Sequence, residues 1–325
     1  MSICIPTYNR AEKLYHCLET IIAQIKHHNI PVYISDNSSS DNTCDVVKAF
    51  QKRYEHIFYS CNDENMGADY NIAQVLKMSN TSYSWLMSDD DLIMENGIDI
   101  VLGALGNSDF DMVIVNSIQG YMDENNAPIR VKSQLRNLYT DKNEVLIDLG
   151  WHVTWISCLI FSKDVAKNGQ FDRYRGTNFV HFGAIFDYLA QNDFKVCWIP
   201  QPLVCCAENA VPSYSEDRLY EFFLKSWHDI VMSLPAVYSE VAKRKCIKNH
   251  AKNIKLFTAR WFLTARVKGN LDLGLAMKYR HYFKCAASTS FFIILALCFT
   301  PRSICGLIEP IYSKMYQKVK SNLPM

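Results

Sequence analysis

Through residue 116 the sequence alternates short apolar runs with stretches of helical periodicity, and no other feature narrows its possible folds so far. Ser2-Ile3-Cys4-Ile5-Pro6 reads as a strand stopped by proline. Leu14, Leu18, Ile21, Ile22 and Ile25 follow at helical spacing, behind Asn9 and Glu12, which resemble a capping box. Pro31-Val32-Tyr33-Ile34-Ser35 reads as a second strand, and the polar loop 36–41 caps a helix carrying Val46, Val47, Phe50 and Tyr54. A third strand is expected at 56–60, then a helix opened by Asn65-Met66-Gly67-Ala68-Asp69. Tyr83-Ser84-Trp85-Leu86-Met87 is a fourth strand, ending in Ser88-Asp89-Asp90-Asp91. A helix near 97–105 and a strand near 112–116 complete the series. Strands alternating with amphipathic helices predict an α/β fold, an open and mainly parallel sheet with helices on both faces. With 49% hydrophobic residues, a chain of 325 can bury the core such a fold needs, as one large domain or two modest ones.

In such sheets ligands bind beyond the carboxyl ends of the strands. The four polar loops, residues 7–10, 36–41, 65–69 and 88–91, all fall at those ends and so converge on one crevice. Three consecutive carboxylates repel one another, and a divalent cation makes the arrangement tolerable: Mg²⁺ and Mn²⁺ take hard oxygen ligands and share them with phosphates. A solvated acidic turn is the plainer alternative, and the convergence of the loops weighs against it.

Taken together, Ile3-Cys4-Ile5-Pro6-Thr7-Tyr8-Asn9-Arg10, Ile34-Ser35-Asp36-Asn37-Ser38-Ser39-Ser40-Asp41, Asn65-Met66-Gly67 and Asp89-Asp90-Asp91 resemble, in order and spacing, the motifs of family 2 glycosyltransferases. Asn65-Met66-Gly67-Ala68-Asp69-Tyr70-Asn71 and Gly176-Thr177-Asn178-Phe179-Val180-His181 are similar to the abequosyltransferases of bacterial O-antigen assembly. The resemblance implies a GT-A, Rossmann-like fold and an inverting enzyme that uses a nucleotide sugar (UDP-, CDP-, GDP- or dTDP-linked) and Mn²⁺ or Mg²⁺. It implies that Pro6, Thr7 and Tyr8 shape the nucleoside wall and that Asp36 and Asn37 meet the base. Arg10 would pair with a phosphate, Gly67 would let backbone approach the ligand, and Asp69 would lie near the ribose or the sugar. Asp89 and Asp91 would hold the metal, with Asp90 beside the donor. For each residue taken singly, ordinary turn chemistry is the alternative.

After Ile118 the alternation fades. Tyr121 to Pro128 reads as a loop, and the aromatic run 151–161 as core or acceptor wall. The family's usual acidic residue, at the start of a helix preceding a strand and a proline, falls at or beside His181, where no carboxylate stands. His181 can replace it as catalytic base, because an imidazole accepts a hydroxyl proton near neutral pH; a histidine satisfied inside the helix, or one that only binds acceptor, is the alternative. Asp187, a turn and a half further on, faces elsewhere.

Charge divides the chain. Residues 241–325 carry 16 Lys/Arg against two acids, Asp272 and Glu309, while residues 1–240 carry 18 basic and 31 acidic residues. Trp227, Phe257, Trp261, Phe262 and Tyr279 lie among the basic residues, a pattern shared by nucleic-acid and membrane surfaces. The uncharged run 285–300 is shorter than the ~20 residues a spanning helix needs. It reads as an interfacial or re-entrant helix, with a buried helix as the alternative, and a basic amphipathic helix is expected over 311–320. Together these favour anionic lipid and exclude nucleic acid as partner. Met1 to Pro6 has no basic n-region or long apolar stretch and does not read as a signal peptide; with 12 cysteines and no C-x-x-C pair, a reducing cytoplasm is expected.

The sequence therefore divides into a nucleotide-sugar half at 1–118, an acceptor half at 119–212 and a helical, basic, membrane-associating region at 213–325. The expected enzyme transfers a sugar, deoxysugars included, to a lipid-linked oligosaccharide at the cytoplasmic face of the bacterial inner membrane, as a peripheral protein. A non-catalytic nucleotide-sugar or polysaccharide binding module is the alternative.

Overall fold

The computed structural model describes residues 1–106, 108–120, 129–132, 134–206 and 216–321. The loop expected at 121–128 lies outside these. The chain divides into two compact units, Met1–Val211 with Leu234–Ser239, and Pro212–Ser233 with Glu240–Met325.

The first unit runs β1 (Ser2–Thr7), α1 (Ala11–Ile25), β2 (Val32–Asp36), α2 (Thr43–Gln51), β3 (Ile57–Cys61), α3 (Ala68–Met78), β4 (Tyr83–Leu86), β5 (Leu92–Ile93), α4 (Gly97–Leu105) and β6 (Met112–Gln119). It continues with β7 (Leu138–Tyr139), α5 (Lys142–Asp148), β8 (Leu159–Ser162), α6 (Lys163–Asn168), α7 (Val180–Gln191) and β9 (Val196–Cys206). The strands form one sheet in the order β3-β2-β1-β4-β8-β6-β9-β5, with β7 also on β9. The amino-terminal strands β3, β2, β1 and β4 are parallel, as the alternation predicts.

The sheet as a whole is mixed rather than mainly parallel. β8 enters antiparallel between β4 and β6, and β5 and β7 pair antiparallel to β9. Among the described residues beyond β4, only β6 and β9 pair in parallel, through a register shift around Asn116. That asparagine fills the irregularity: its Nδ2 donates to the carbonyls of Val131 and Pro200, both at 2.9 Å.

β1 is buried along almost its whole length, as a central parallel strand covered on both faces must be. Leu14, Leu18, Ile21 and Ile25 of α1 pack with Ile3 and Ile5 of β1, Val32 and Ile34 of β2 and Val47 and Phe50 of α2. Fully burying each such side chain stabilises by about 1.5–3 kcal/mol. Trp85 in β4 is buried in the same core and donates its Nε1–H to the Ser157 carbonyl at 2.8 Å. Gly183 in α7 lies where a Cβ would come within 2.3 Å of the Tyr174 ring, so only glycine allows that approach.

The expected capping box is corrected. Asn9 has a left-handed φ of 51° and its side chain does not cap α1. Its Oδ1 instead accepts from Ser40 N at 2.7 Å, while Ala11 N at the start of α1 donates to Asp41 Oδ2 at 3.0 Å. Both bonds tie the loop after β1 to the loop after β2.

The second unit is helical: α8 (Glu216–Leu219), a π-helical stretch Tyr220–Ser226, α9 (Trp227–Met232), α10 (Glu240–Asn253), α11 (Ala259–Lys268), α12 (Leu273–Lys278), α13 (Arg280–Ala286), α14 (Phe291–Phe299) and α15 (Arg302–Ser321). Its aromatic residues are not the mixed basic surface the sequence suggests. Trp227, Phe257, Phe262 and Tyr279 are buried, with Tyr220 stacked on Tyr279 at 5.6 Å and Phe262 edge-on to Phe283 at 5.1 Å. They form this unit's own core. Pro310 does not open a separate helix but lies inside α15, where it removes one backbone donor. Among the described residues no helix is long and apolar enough to cross a membrane.

Candidate active site

Four loops at the carboxyl ends of β1 to β4 are joined by hydrogen bonds into one network. Asn37, just after β2, accepts at Oδ1 from Asn62 Nδ2 and from Met66 N, both at 3.0 Å, and donates from Nδ2 to Asn65 Oδ1 at 2.7 Å. Asn65 also accepts from Gly67 N at 2.9 Å. Gly67 holds φ at +85°, which a side chain would strain. Asn71, on the buried face of α3, donates to the carbonyls of Thr7 and Ser35 at 3.2 and 2.9 Å and so fixes the ends of β1 and β2 side by side.

The carboxylates beyond β4 are held from both flanks. Thr7 Oγ1 donates to Asp89 Oδ2 at 2.7 Å, and Arg10 Nη1 donates to Asp89 Oδ1 and Asp90 Oδ2, each at 2.9 Å. Lys13 Nζ stands 3.5 Å from Asp90. From the other flank Ser157 Oγ donates to Asp91 Oδ2 at 2.6 Å while accepting from Ser88 N at 2.9 Å. Asp89 and Asp91 are only 3% and 6% exposed. Burial pushes the Asp89 carboxyl up to about 6, against the opposing pull of the Arg10 charge and the Thr7 hydroxyl.

This donor set fits a hard divalent cation. Two buried aspartates are held in place by their neighbours, and burial still weighs against the charged form of Asp89, a cost that an ion would relieve. Among the described residues, Asp89, Asp90 and Asp91 do not bring three ligand oxygens together as a closed cage. Mg²⁺-type sites are built in that open way, from one or two carboxylates completed by water and substrate phosphate.

The other expected residues fall into different surroundings. Asp36 is buried, its two oxygens engaged by Ser39 N at 2.8 Å and Tyr59 Oη at 2.6 Å. Pro6 lies within β1, and Tyr8 stands 42% exposed next to the network. Asp69 faces the start of α7, where Asn178 N and Val180 N donate to it at 3.0 and 3.4 Å. It caps that helix across the fold, a use that neither turn chemistry nor a ribose contact anticipates. Burial raises its carboxyl above the usual range, against these backbone donors.

His181 follows directly in the first turn of α7. It is 3% exposed, and burial pushes its imidazole down to about 4, with the Val153 backbone opposing. The ring is therefore neutral near pH 7, and neither nitrogen makes a hydrogen bond of good geometry. Asp187 accepts from Arg173 at 3.0 Å and from Gln191 at 3.1 Å, so it is a structural carboxylate.

Two side chains near the carboxylates are not marked in the sequence. Ser157 is hidden in an apolar run. Arg130 follows a polar stretch with no motif, yet its backbone is pinned to β6 by Arg130 N donating to the Ser117 carbonyl at 2.9 Å. Its guanidinium lies over the Trp155 ring and close enough to Asp91 to feel its charge, and burial pushes it down to about 10. Its Nε and Nη2 are shut off from solvent with no hydrogen-bond partner among the described residues.

Comparison with known proteins bears on the fold and the family. Abequosyltransferase RfbV of Salmonella typhimurium is 25% identical over 278 residues, 81% of this chain and 82% of the relative. The Staphylococcus aureus TarS 1–349 structure in complex with UDP-GlcNAc superposes with a TM-score of 0.60 at 12% identity, over 96% of this chain and 91% of that one. The mannosyltransferase PcManGT of Pyrobaculum calidifontis, in complex with GDP-Man and Mn²⁺, gives 0.52 at 15% identity, over 91% and 85%. The last two likenesses establish the shared fold. Residues 2–169 match glycosyl transferase family 2, and the chain belongs to that family.

Proposed function

We propose that this protein is a metal-dependent, inverting glycosyltransferase. It moves a sugar, deoxysugars included, from a nucleotide-sugar donor to a lipid-linked oligosaccharide in bacterial surface polysaccharide (O-antigen) assembly. The observation that carries this reading is the buried pair Asp89 and Asp91, gripped by Thr7 and Arg10 on one side and Ser157 on the other. The likeness to an abequosyltransferase over most of both chains supports the deoxysugar and the O-antigen context.

In this reading the nucleotide lies along the linked loops after β1, β2 and β3, against Pro6, Tyr8 and Asn37. Asp89 and Asp91 hold Mg²⁺ or Mn²⁺, which when bound neutralises the departing diphosphate. Arg10 keeps Asp89 and Asp90 oriented and lends positive charge beside the phosphates. Arg130, close enough to Asp91 to feel its charge, supplies a second cation on that side. An acceptor hydroxyl attacks the anomeric carbon from the face opposite the leaving group, through an oxocarbenium-like transition state. His181, kept neutral by burial in the first turn of α7, takes the hydroxyl proton.

The partner at the bilayer is read from α14 and α15. Phe292, Phe299, Leu307 and Ile311 are 84%, 71%, 73% and 61% exposed. They lie in the part of the chain that carries the positive excess. Exposed apolar side chains among cations suit the surface of an anionic membrane, which supports a peripheral protein at the cytoplasmic face of the inner membrane.

Three measurements follow. Asp91→Ala is expected to lower transfer, or donor hydrolysis, with added Mn²⁺ by roughly 100-fold or more at unchanged secondary structure; full turnover in the variant contradicts the metal role. His181→Gln is expected to cost about 10²–10⁴-fold in kcat while donor affinity is kept, and an undiminished kcat removes His181 as the base. Flotation with anionic vesicles is expected to carry the native chain but not a Phe292→Ser, Phe299→Ser, Leu307→Ser variant. Equal flotation of the two removes α14 and α15 as the contact.

A further inference from the structure

Within the second unit, His228 of α9 and His281 and Cys285 of α13 bring two ring nitrogens and a thiol sulfur within 4.8 Å of one another. No other group of three such ligands meets this way among the described residues. His281 and Cys285 stand four residues apart and so share one face of α13. His228 lies on the neighbouring helix, and the two imidazoles meet edge to face with centroids 5.4 Å apart. Two imidazoles bound tetrahedrally to one ion, with metal–nitrogen bonds of about 2.0–2.1 Å, place their centroids roughly 5 Å apart. The rings are thus already close to the separation an ion would impose.

The surroundings agree with ligation. His228 is 8% exposed, and its Nδ1 is 3.0 Å from Asp229 Oδ1. A carboxylate on one imidazole nitrogen fixes the ring and its tautomer and leaves Nε2 for a metal. Lys225 bridges Glu221 and Asp229 at 3.3 Å each, which holds that carboxylate in place. His281 is exposed and Cys285 half-buried, so an ion has a route in and the thiol can lose its proton on binding. A tetrahedral zinc shell holds its ligand atoms roughly 3.3–3.6 Å apart, so these three atoms, within 4.8 Å of one another, need to draw together by no more than about 1.5 Å.

We propose that His228, His281 and Cys285 form a zinc site with three protein ligands, which clips α9 to α13 and leaves a fourth position to water. Nitrogen and thiolate donors select Zn²⁺ over the hard Mg²⁺ or Mn²⁺ suited to Asp89 and Asp91, so the two metal sites are chemically separable.

The test uses the purified full chain, stripped with chelator and titrated with Co²⁺ and then Zn²⁺. The native chain is expected to give a thiolate-to-cobalt charge-transfer band in the near ultraviolet at one equivalent, bleached by Zn²⁺, and a higher melting temperature with Zn²⁺ bound. Cys285→Ser is expected to lose the band, His281→Ala to weaken binding at least 10-fold, and Asp229→Asn to weaken it about 10-fold. Asp91→Ala keeps the band. His281 is exposed and Cys285 half-buried, so these variants keep the fold, which far-ultraviolet circular dichroism checks. A native spectrum with no band, or one unchanged in both Cys285→Ser and His281→Ala, overturns the assignment.

Discussion

The first unit turns on the cost of burying negative charge. An isolated carboxylate removed from water loses far more solvation than a neutral fold can supply, so it is neutralised or paired. Asp89 is answered by the Thr7 hydroxyl and the Arg10 guanidinium, and Asp91 by Ser157. Thr7 and Arg10 flank the end of β1, Asp89 the end of β4, and Ser157 precedes β8. Three neighbouring strands are therefore brought into register by the requirement to hold these aspartates. The answer is incomplete, because burial still lifts Asp89 above the ordinary carboxylate range. That residual cost is what a divalent ion would relieve, and it is a reason for carboxylates to be kept in so dry a place.

The second layer of the site consists of amides. Asn37, Asn62, Asn65 and Asn71 join the loops after β1, β2 and β3 through side-chain carbonyls and NH₂ groups. Amides suit this task because each both donates and accepts, without adding charge beside the aspartates. Asp69 extends the same logic by capping α7, which fixes the helix that presents His181. The amino-terminal crevice and the start of α7 are thereby one mechanical unit.

How much of this was legible depended on which signal a residue gives. β1 to β4 could be read because each apolar run ends at a proline or a polar loop, and consecutive parallel strands are forced by the intervening helices. The antiparallel entry of β8 was not legible: a run such as Leu159 to Ser162 carries no mark of strand direction or partner. The aromatic residues of the second unit misled because Trp227 or Phe262 among lysines looks the same in sequence whether it faces solvent or a core. Asn9 has the composition of a cap, but its left-handed φ turns the side chain towards the next loop. Arg130 and Ser157 gave no signal, since their importance comes from contacts with residues distant in sequence. Asn37 and Asn65 stand in loop motifs, and Asn71 lies on the buried face of a helix; these were the hints of the amide network.

The central question for this protein is whether the linked loops bind a diphosphate through an ion on Asp89 and Asp91. Calorimetric titration of UDP, CDP, GDP and dTDP into the full chain, with Mn²⁺ and with chelator, tests this directly in the native protein and in Asp89→Asn, Asp91→Asn. The prediction is that one nucleotide binds the native chain only with Mn²⁺ and does not bind the double variant. Equal affinity with chelator, or an undiminished Mn²⁺-dependent signal in the variant, would contradict it.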